Sequence, residues 1–223
     1  SGSDTKESPL TKKLVSEGAH IIYGQKVENI TRDIGCVVYT AAINRNNPEL
    51  IEAVALKIPM LTRAELLGQL MKNYDTPIAV SGTHGKTTTT SMISHILLEG
   101  DLDPTISVGG ILKAIGGNIR VGNSGTFITE ACEYTNSFLH FFPKISVILN
   151  IEEDHLDFFK DLEDIRHSFH QFAELLPEDG TLIINAEIKD YAEIYEGLSC
   201  NVVTYGTNGC FDYSAKNITY DEN

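Results

Sequence analysis

The sequence predicts an α/β protein, with parallel strands packed beneath helices. Three observations carry this. Short, continuously apolar runs such as Ile78-Ala79-Val80 and Val147-Ile148-Leu149 lack the alternation of a half-solvated strand, so they read as strands buried on both faces. Segments with apolar residues three and four apart lie between such runs, and strand–helix repetition implies parallel crossovers. One buried strand runs into a glycine-rich turn and then a helix, from Val80 to Thr90.

The elements follow in order. Ser8 before Pro9 reads as a helix N-cap with proline in the first turn, and Gly18 closes that helix. Residues 20–23 are predicted as a short strand and residues 36–40 as a buried one. Asn47-Pro48 opens a helix to about Lys57, and residues 58–61 form the next strand. Thr62 and Glu65 have capping-box spacing at the head of a helix reaching about Asn73. A boundary near residue 76 then divides the chain into domains 1–76 and 77–223. Beyond it, the strand at 78–80 leads to a helix ending near Glu99, with Gly100 as its stop. Strands are expected at 127–130 and 145–151. Asp161 caps a helix whose apolar positions are Leu162, Ile165, Phe169, Phe172, Ala173 and Leu176. A strand at 181–185, a helix near 191–198 and a strand at 201–205 complete the pattern.

Composition bounds the function. The 223 residues are 42% hydrophobic and 22% charged, which is globular composition with enough apolar material for a core. Thirty-one acidic residues against 17 basic ones give a net charge of −14. That argues against a nucleic-acid clamp and against docking on anionic lipid, both of which need a basic face. No apolar run reaches the ~18 residues of a membrane span, and no basic segment followed by an apolar stretch marks a secretory signal. Cys36, Cys132, Cys200 and Cys210 show no CxxC spacing and read as reduced thiols of a cytoplasmic protein. The chain starts at Ser1-Gly2-Ser3-Asp4, within a strand–turn pattern, and stops at Asp221-Glu222-Asn223 without a closing element. It is therefore expected to be a fragment.

The strongest motif is Ser81-Gly82-Thr83-His84-Gly85-Lys86-Thr87. Glycines let a loop curl its N–H groups toward phosphate oxygens, and the following helix adds the positive end of its dipole. Lys86 can reach terminal phosphates and Thr87 can ligate Mg²⁺. The glycines are three apart, against five in the usual GxxxxGK[ST] loop. A plain strand–helix turn is the competing reading. Thr87, Thr88, Thr89 and Thr90 argue against it, because threonine costs about 0.5 kcal/mol per position against alanine in a helix. Function, or hydroxyl capping of the first-turn amides, explains them better. His84 either contacts phosphate or substrate, or is merely tolerated by the turn.

Other residues have chemistry but weaker patterns. Glu130 ends an apolar strand, where parallel sheets place their sites, so it is either a Mg²⁺ ligand or a solvated edge carboxylate. His155 follows another strand and can converge on the same crevice. Asp4, at a strand end, can accept hydrogen bonds from a ribose or uracil. Residues 152–164 hold seven acidic side chains and one lysine, mostly a solvated face and helix N-terminal charge. His167 and His170 have metal-compatible spacing but no third ligand nearby, and read as surface.

The stretch Gly82-Thr83-His84-Gly85-Lys86-Thr87-Thr88-Thr89-Thr90 resembles the ATP loop of the Mur ligases of peptidoglycan synthesis. Its histidine is similar to the branch that adds L-alanine to UDP-N-acetylmuramic acid. The resemblance covers nearly the whole chain. It includes Ala41-Ala42-Ile43, Asn47-Pro48-Glu49, Ile58-Pro59 and Arg63-Ala64-Glu65. It also includes Thr129-Glu130-Ala131-Cys132-Glu133-Tyr134 and Asn150-Ile151-Glu152-Glu153-Asp154-His155. It implies a Rossmann-like N-terminal domain that binds a UDP-sugar, followed by a P-loop-type parallel-sheet ATPase domain. ATP, Mg²⁺, UDP-N-acetylmuramic acid and L-alanine are the implied cofactors and partners, with no nucleic acid and no membrane. Catalytic roles would fall to Lys86, Glu130 and His155, and phosphate contacts to Gly82, Thr83, His84, Gly85, Lys86, Thr87 and Thr88. Metal ligation would fall to Thr87, Glu130 and His155, and substrate contact to Asp4.

The chain also departs from the family pattern. The N-terminal glycine-rich loop and the C-terminal amino-acid-binding domain are not in the sequence. Many members read EADESD where this chain has Glu130-Ala131-Cys132-Glu133-Tyr134-Thr135, which leaves the roles of Cys132 and Glu133 open. Inside the family, the alternative is the muropeptide-recycling ligase, which adds a tripeptide to the same sugar. Outside it, the rivals are a nucleotide-hydrolysing switch and a non-catalytic nucleotide sensor.

Overall fold

The computed structural model describes residues 1–40, 42–207 and 209–219. Ala41 of the Ala41-Ala42-Ile43 stretch, and Asp221-Glu222-Asn223, lie outside the described residues. The chain forms two compact units, Ser1–Leu66 and Leu67–Asn223. The division falls upstream of the boundary expected near residue 76.

The first unit contains two parallel strand pairs. β1 (Gly2–Asp4) pairs with β2 (Ile21–Tyr23) across α1 (Pro9–Ser16), and β3 (Val37–Tyr39) pairs with β4 (Met60–Thr62) across α2 (Pro48–Ala55). The caps act as the sequence implies. Ser8 Oγ accepts the Thr11 N–H at 3.1 Å, and Asn47 Oδ1 accepts the Glu49 N–H at 2.9 Å. At the head of α3 (Arg63–Met71), Glu65 Oε2 accepts the Thr62 N–H at 2.6 Å while Thr62 Oγ1 accepts the Glu65 N–H at 3.1 Å. One expectation fails: β3 is not a buried strand, and Val38 is 45% exposed. Among the described residues its ladder has a single partner, β4.

The second unit is built on an eight-stranded sheet. Its strands are β5 (Thr76–Ser81), β6 (Thr105–Leu112), β7 (Gly117–Arg120), β8 (Thr126–Glu130), β9 (Ile145–Ile148), β10 (Thr181–Asn185), β11 (Asn201–Gly206) and β12 (Tyr213–Ser214). They lie in the order β12-β11-β10-β9-β5-β8-β6-β7, and only the β6–β7 pair is antiparallel. Ile78 and Val80 of β5, Ile106 and Val108 of β6, Ile128 of β8 and Val147 of β9 form the core beneath α4 (Lys86–Glu99). α5 (Leu162–Glu174) starts at Asp161, whose carboxylate accepts the Asp164 N–H at 2.9 Å, and it buries Ile165, Phe169, Phe172 and Ala173.

Three differences from the expected elements have physical causes. β6 and β7 were not anticipated, because Gly109-Gly110 interrupts the apolar run and β7 is a short edge strand. The strand expected at 145–151 ends at Ile148, and residues 149–150 instead bond to the end of β5 and the loop after it. The helix expected near 191–198 is a 3₁₀ turn, Tyr191–Tyr195.

Phe138 ties this core to the site. Its ring stacks on Phe172, with centroids 4.6 Å apart, and meets Phe169 edge-on at 5.4 Å. It is fully buried, and its N–H donates to the Cys132 carbonyl at 3.0 Å, which pins the turn holding Glu133. Phe138→Ala is expected to cost about 3–5 kcal/mol in denaturant unfolding. A loss below about 1 kcal/mol would show that α5 does not rest on this ring.

Candidate active site

The strand order places three chain segments at one end of the sheet, beyond the carboxyl ends of its central strands. β9, β5 and β8 are adjacent and parallel, and Ser81, Ile148 and Glu130 lie at their carboxyl ends. Chain leaving β5 is the glycine turn. Chain leaving β8 carries Glu133, and chain leaving β9 carries Asn150 to His155. Convergence of strand ends in a parallel sheet is where α/β proteins build sites.

The turn is held by its neighbours on the β9 side. The Leu149 N–H donates to the Ser81 carbonyl at 3.0 Å, and the Thr83 N–H donates to the Asn150 carbonyl at 3.2 Å. The Asn150 side chain acts as a substitute backbone: its Oδ1 accepts the His84 N–H at 2.8 Å and its Nδ2 donates to the His84 carbonyl at 3.1 Å. Thr83 Oγ1 accepts the Glu152 N–H at 2.9 Å. Gly85, in the left-handed conformation at φ +81°, is the N-cap of α4, and no side chain caps that end. The first-turn amides are therefore free of side-chain caps, as an anion-binding helix end requires. The threonine hydroxyls are not caps. Thr87 Oγ1 donates to Glu130 Oε2 at 2.8 Å, and buried Thr90 Oγ1 has no hydrogen-bond partner.

Lys86 and Thr87 open the helix toward different partners. Lys86 Nζ donates to Glu133 Oε2 at 2.9 Å and Oε1 at 3.2 Å, and also to the Gly82 and Thr83 carbonyls. The Glu133 side chain is only 2% exposed and that of Lys86 15%. Glu130 accepts from Thr87 and from the Gly109 N–H. A side chain at Gly109 would crowd the Glu130 carboxylate, with its Cβ 3.0 Å from Oε2.

His155 joins a separate group. Its Nε2 lies 3.9 Å from Glu133 Oε1 and 3.9 Å from Asp154 Oδ2, and potential ligand atoms of the three residues fall within 4.8 Å of one another. The Tyr134 ring lies against His155 with centroids 4.5 Å apart, and its hydroxyl donates to Asp157 Oδ2 at 2.8 Å. That hydrogen bond, with the Asp157 charge, pushes the Tyr134 phenol up, so it remains a donor. Desolvation by surrounding protein, with Glu133 and Glu130 nearby, pushes the Cys132 thiol up.

The expected site residues thus fall into three places. Gly82, Thr83, His84, Gly85, Lys86, Thr87 and Thr88 form the turn and first helical residues. Thr87 and Glu130 pair, whereas His155 groups with Glu133 and Asp154. Asp4 lies in the first unit, beside a cleft of about 500 Å³ whose lining includes Ser3, Asn29 and Glu49. Glu49 accepts from Ser3 Oγ and from Asn29 Nδ2, each at 2.6 Å. Asn150, Glu133 and Gly109 were not assigned from sequence. Glu133 and Asn150 lay in stretches that resemble the family without a role being given to them, and Gly109 lies inside β6. His170 contacts Glu174 and the Ile194 carbonyl, and His167 is exposed, in keeping with surface roles. Among the described residues, no helix is long and apolar enough to cross a membrane.

A buried parallel strand, a glycine turn and a helix opened by lysine and threonine define a phosphate-loop α/β domain. The chain belongs to the Mur ligase family: the Mur ligase middle domain matches residues 80–223, and the Mur ligase family catalytic domain matches residues 1–75. It is 62% identical over 222 residues to UDP-N-acetylmuramate–L-alanine ligase of Agathobacter rectalis, covering all of this chain and 48% of that protein. It is 57% identical over 223 residues to the ligase of the same name from Lachnospira eligens, covering all of this chain and 49% of that protein. The chain thus spans about half the length of the curated relatives it matches. Among solved structures, the UDP-N-acetylmuramate–alanine ligase of Thermotoga maritima aligns with a TM-score of 0.78 at 28% identity, covering 93% of this chain and 46% of that one. UDP-N-acetylmuramate:L-alanyl-γ-D-glutamyl-meso-diaminopimelate ligase from Neisseria meningitides aligns with a TM-score of 0.84 at 26% identity, covering 92% and 69%.

Proposed function

We propose that this chain is the UDP-sugar-binding and ATP-binding part of an ATP-dependent ligase. The enzyme joins L-alanine to the carboxylate of UDP-N-acetylmuramic acid in cytoplasmic synthesis of peptidoglycan precursors. The observation that carries the reading is the meeting of an uncapped helix end, Lys86 and the Thr87–Glu130 pair at adjoining strand ends. The names of the 62% and 57% identical relatives support the choice of L-alanine.

The residues fit the implied groups. Thr87 and Glu130 offer the hard oxygen donors that Mg²⁺ prefers, and His155 with Glu133 and Asp154 offers a second oxygen-rich set. Lys86 and the free amides of α4 suit a polyphosphate. When bound, ATP supplies the phosphoryl group that activates the carboxylate as an acyl phosphate, and Mg²⁺ supplies positive charge between two anions. Lys86 neutralises charge on the transferring group, which lowers the barrier where preorganised donors act best. Asn150 holds the turn so that its amides need no reorganisation. Asp4 and the cleft beside it hold the UDP-sugar.

The test is ADP release by the full-length protein with each substrate omitted in turn. Release should require UDP-N-acetylmuramic acid and L-alanine together. Sugar-independent release would support a switch or sensor instead. The Neisseria structure favours one second reading, the recycling ligase. Preference for L-Ala-γ-D-Glu-diaminopimelate over L-alanine would establish it.

A further inference from the structure

Taking the cleft beside Asp4 as the UDP-sugar site, as proposed above, we infer that Glu49 is a positioning residue for that substrate. It holds Asp4 in place through two hydrogen-bonded routes, one from each carboxylate oxygen. Among the described residues, the β1–β2 and β3–β4 pairs of the first unit share no ladder. Side chains at the head of α2 join them instead. Asn47 Nδ2 donates to Gln25 Oε1 at 2.7 Å, and Glu49 accepts from Ser3 and Asn29. The two Glu49 routes meet at Asp4. Oε2 accepts from Ser3 Oγ at 2.6 Å, and Ser3 precedes Asp4 on β1. Oε1 accepts from Asn29 Nδ2 at 2.6 Å. That same amide donates to the Gly24 carbonyl at 2.8 Å, and the Gly24 N–H donates to the Asp4 carbonyl at 2.8 Å.

Asp4 depends on this clamp because it is exposed and its carboxylate bonds locally. It accepts from the Lys6 N–H at 3.3 Å and the Thr5 hydroxyl at 3.5 Å, so its aim follows its backbone. Glu49 is only 9% exposed. Its burial is tolerated because both oxygens accept hydrogen bonds and because it lies in the first turn of α2, where the helix dipole favours negative charge. The clamp needs two polar atoms side by side more than it needs a charge. Glutamine meets that need: its oxygen can accept from Asn29 while its NH₂ donates to Ser3 Oγ, since a hydroxyl both donates and accepts. Alanine supplies neither atom.

The experiment is ADP release by the full-length protein at varied UDP-N-acetylmuramic acid, with saturating ATP and L-alanine. Amide hydrogen exchange of the substrate-free protein, read by mass spectrometry, accompanies it. Glu49→Ala should raise the KM for the UDP-sugar at least about tenfold, with kcat and the KM for ATP within about twofold of the wild type. The peptide carrying Gly24 should exchange at least about tenfold faster. Glu49→Gln should stay within about threefold of the wild type in both measurements. A merely structural role would lower the active fraction, and so kcat, and leave KM alone. If Glu49→Ala fails to fold, Ser3→Ala and Asn29→Ala each open one route, and each must raise the sugar KM at least about threefold at unchanged kcat. A loss confined to kcat, unchanged exchange at Gly24, or a glutamine variant as impaired as the alanine one overturns the inference. Wild-type protein without sugar-dependent ADP release would instead remove the ligase reading, and exchange at Gly24 would still decide whether Glu49 holds Asp4.

Discussion

Lys86→Ala in the full-length protein is expected to lower ADP release by about 10²–10³-fold or more, the effect of removing one preorganised donor from a developing charge. Binding of the UDP-sugar should be largely unchanged, because the cleft beside Asp4 is lined by residues of the first unit. The substitution has a second effect. It strands the buried Glu133 carboxylate, and breaking one side of a buried pair costs about 3–5 kcal/mol. A drop in activity alone would therefore be ambiguous. Lys86→Ala combined with Glu133→Gln separates the two, since glutamine needs no counter-charge. The double variant should regain much of the stability lost to Lys86→Ala, seen as a recovered urea midpoint, while ADP release stays low. Normal release by either variant would remove Lys86 from the chemistry. Recovery of release along with stability would mean that the lysine acts only through folding.

The parts of this site that sequence reveals are those with local rules. A strand, two glycines, a lysine and a threonine are contiguous, and turn and helix chemistry alone points them at an anion. The caps at Ser8, Asn47 and Asp161 are legible for the same reason, since each is a side chain meeting an amide two or three residues on. Glu133 was not legible. Its partner, Lys86, is 47 residues away, and only the adjacency of β5 and β8 brings them together. Asn150 is 66 residues from the backbone it mimics. The order of strands in a sheet is not written in any one strand. The grouping of His155 with Asp154 and Glu133, apart from the Thr87–Glu130 pair, depends on that order too. β6 was missed for the opposite reason: Gly109-Gly110 lowers its strand propensity, yet Gly109 lets the backbone approach Glu130.

Gly82→Ala is expected to disable the loop more completely than any change at Gly85. The two glycines have positive φ but different surroundings. Gly82 sits at φ +145°, a region that L side chains rarely adopt, and strain of this kind costs about 1–3 kcal/mol. An added Cβ would also lie 2.9 Å from Leu149 Cβ and 3.2 Å from the Asn150 nitrogen. Leu149 and Asn150 cannot give way cheaply, because their backbone is bonded to Ser81 and Thr83. Relief must come from the turn itself, which would tear His84 from Asn150 and misdirect the amides at the head of α4. Gly85 is at φ +81°, nearer the left-handed region that asparagine tolerates, and its added Cβ would meet only Leu149 Cδ1, at 3.6 Å. Nucleotide affinity, read by direct titration of the full chain with ATP and Mg²⁺, should fall at least about 100-fold in Gly82→Ala, equivalent to about 2.7 kcal/mol. In Gly85→Asn the fall should be under about tenfold. Equal losses would show that conformational strain alone governs the turn. A mild effect at Gly82 would mean that the packing of residues 149–150 against it does not set the geometry of the phosphate loop.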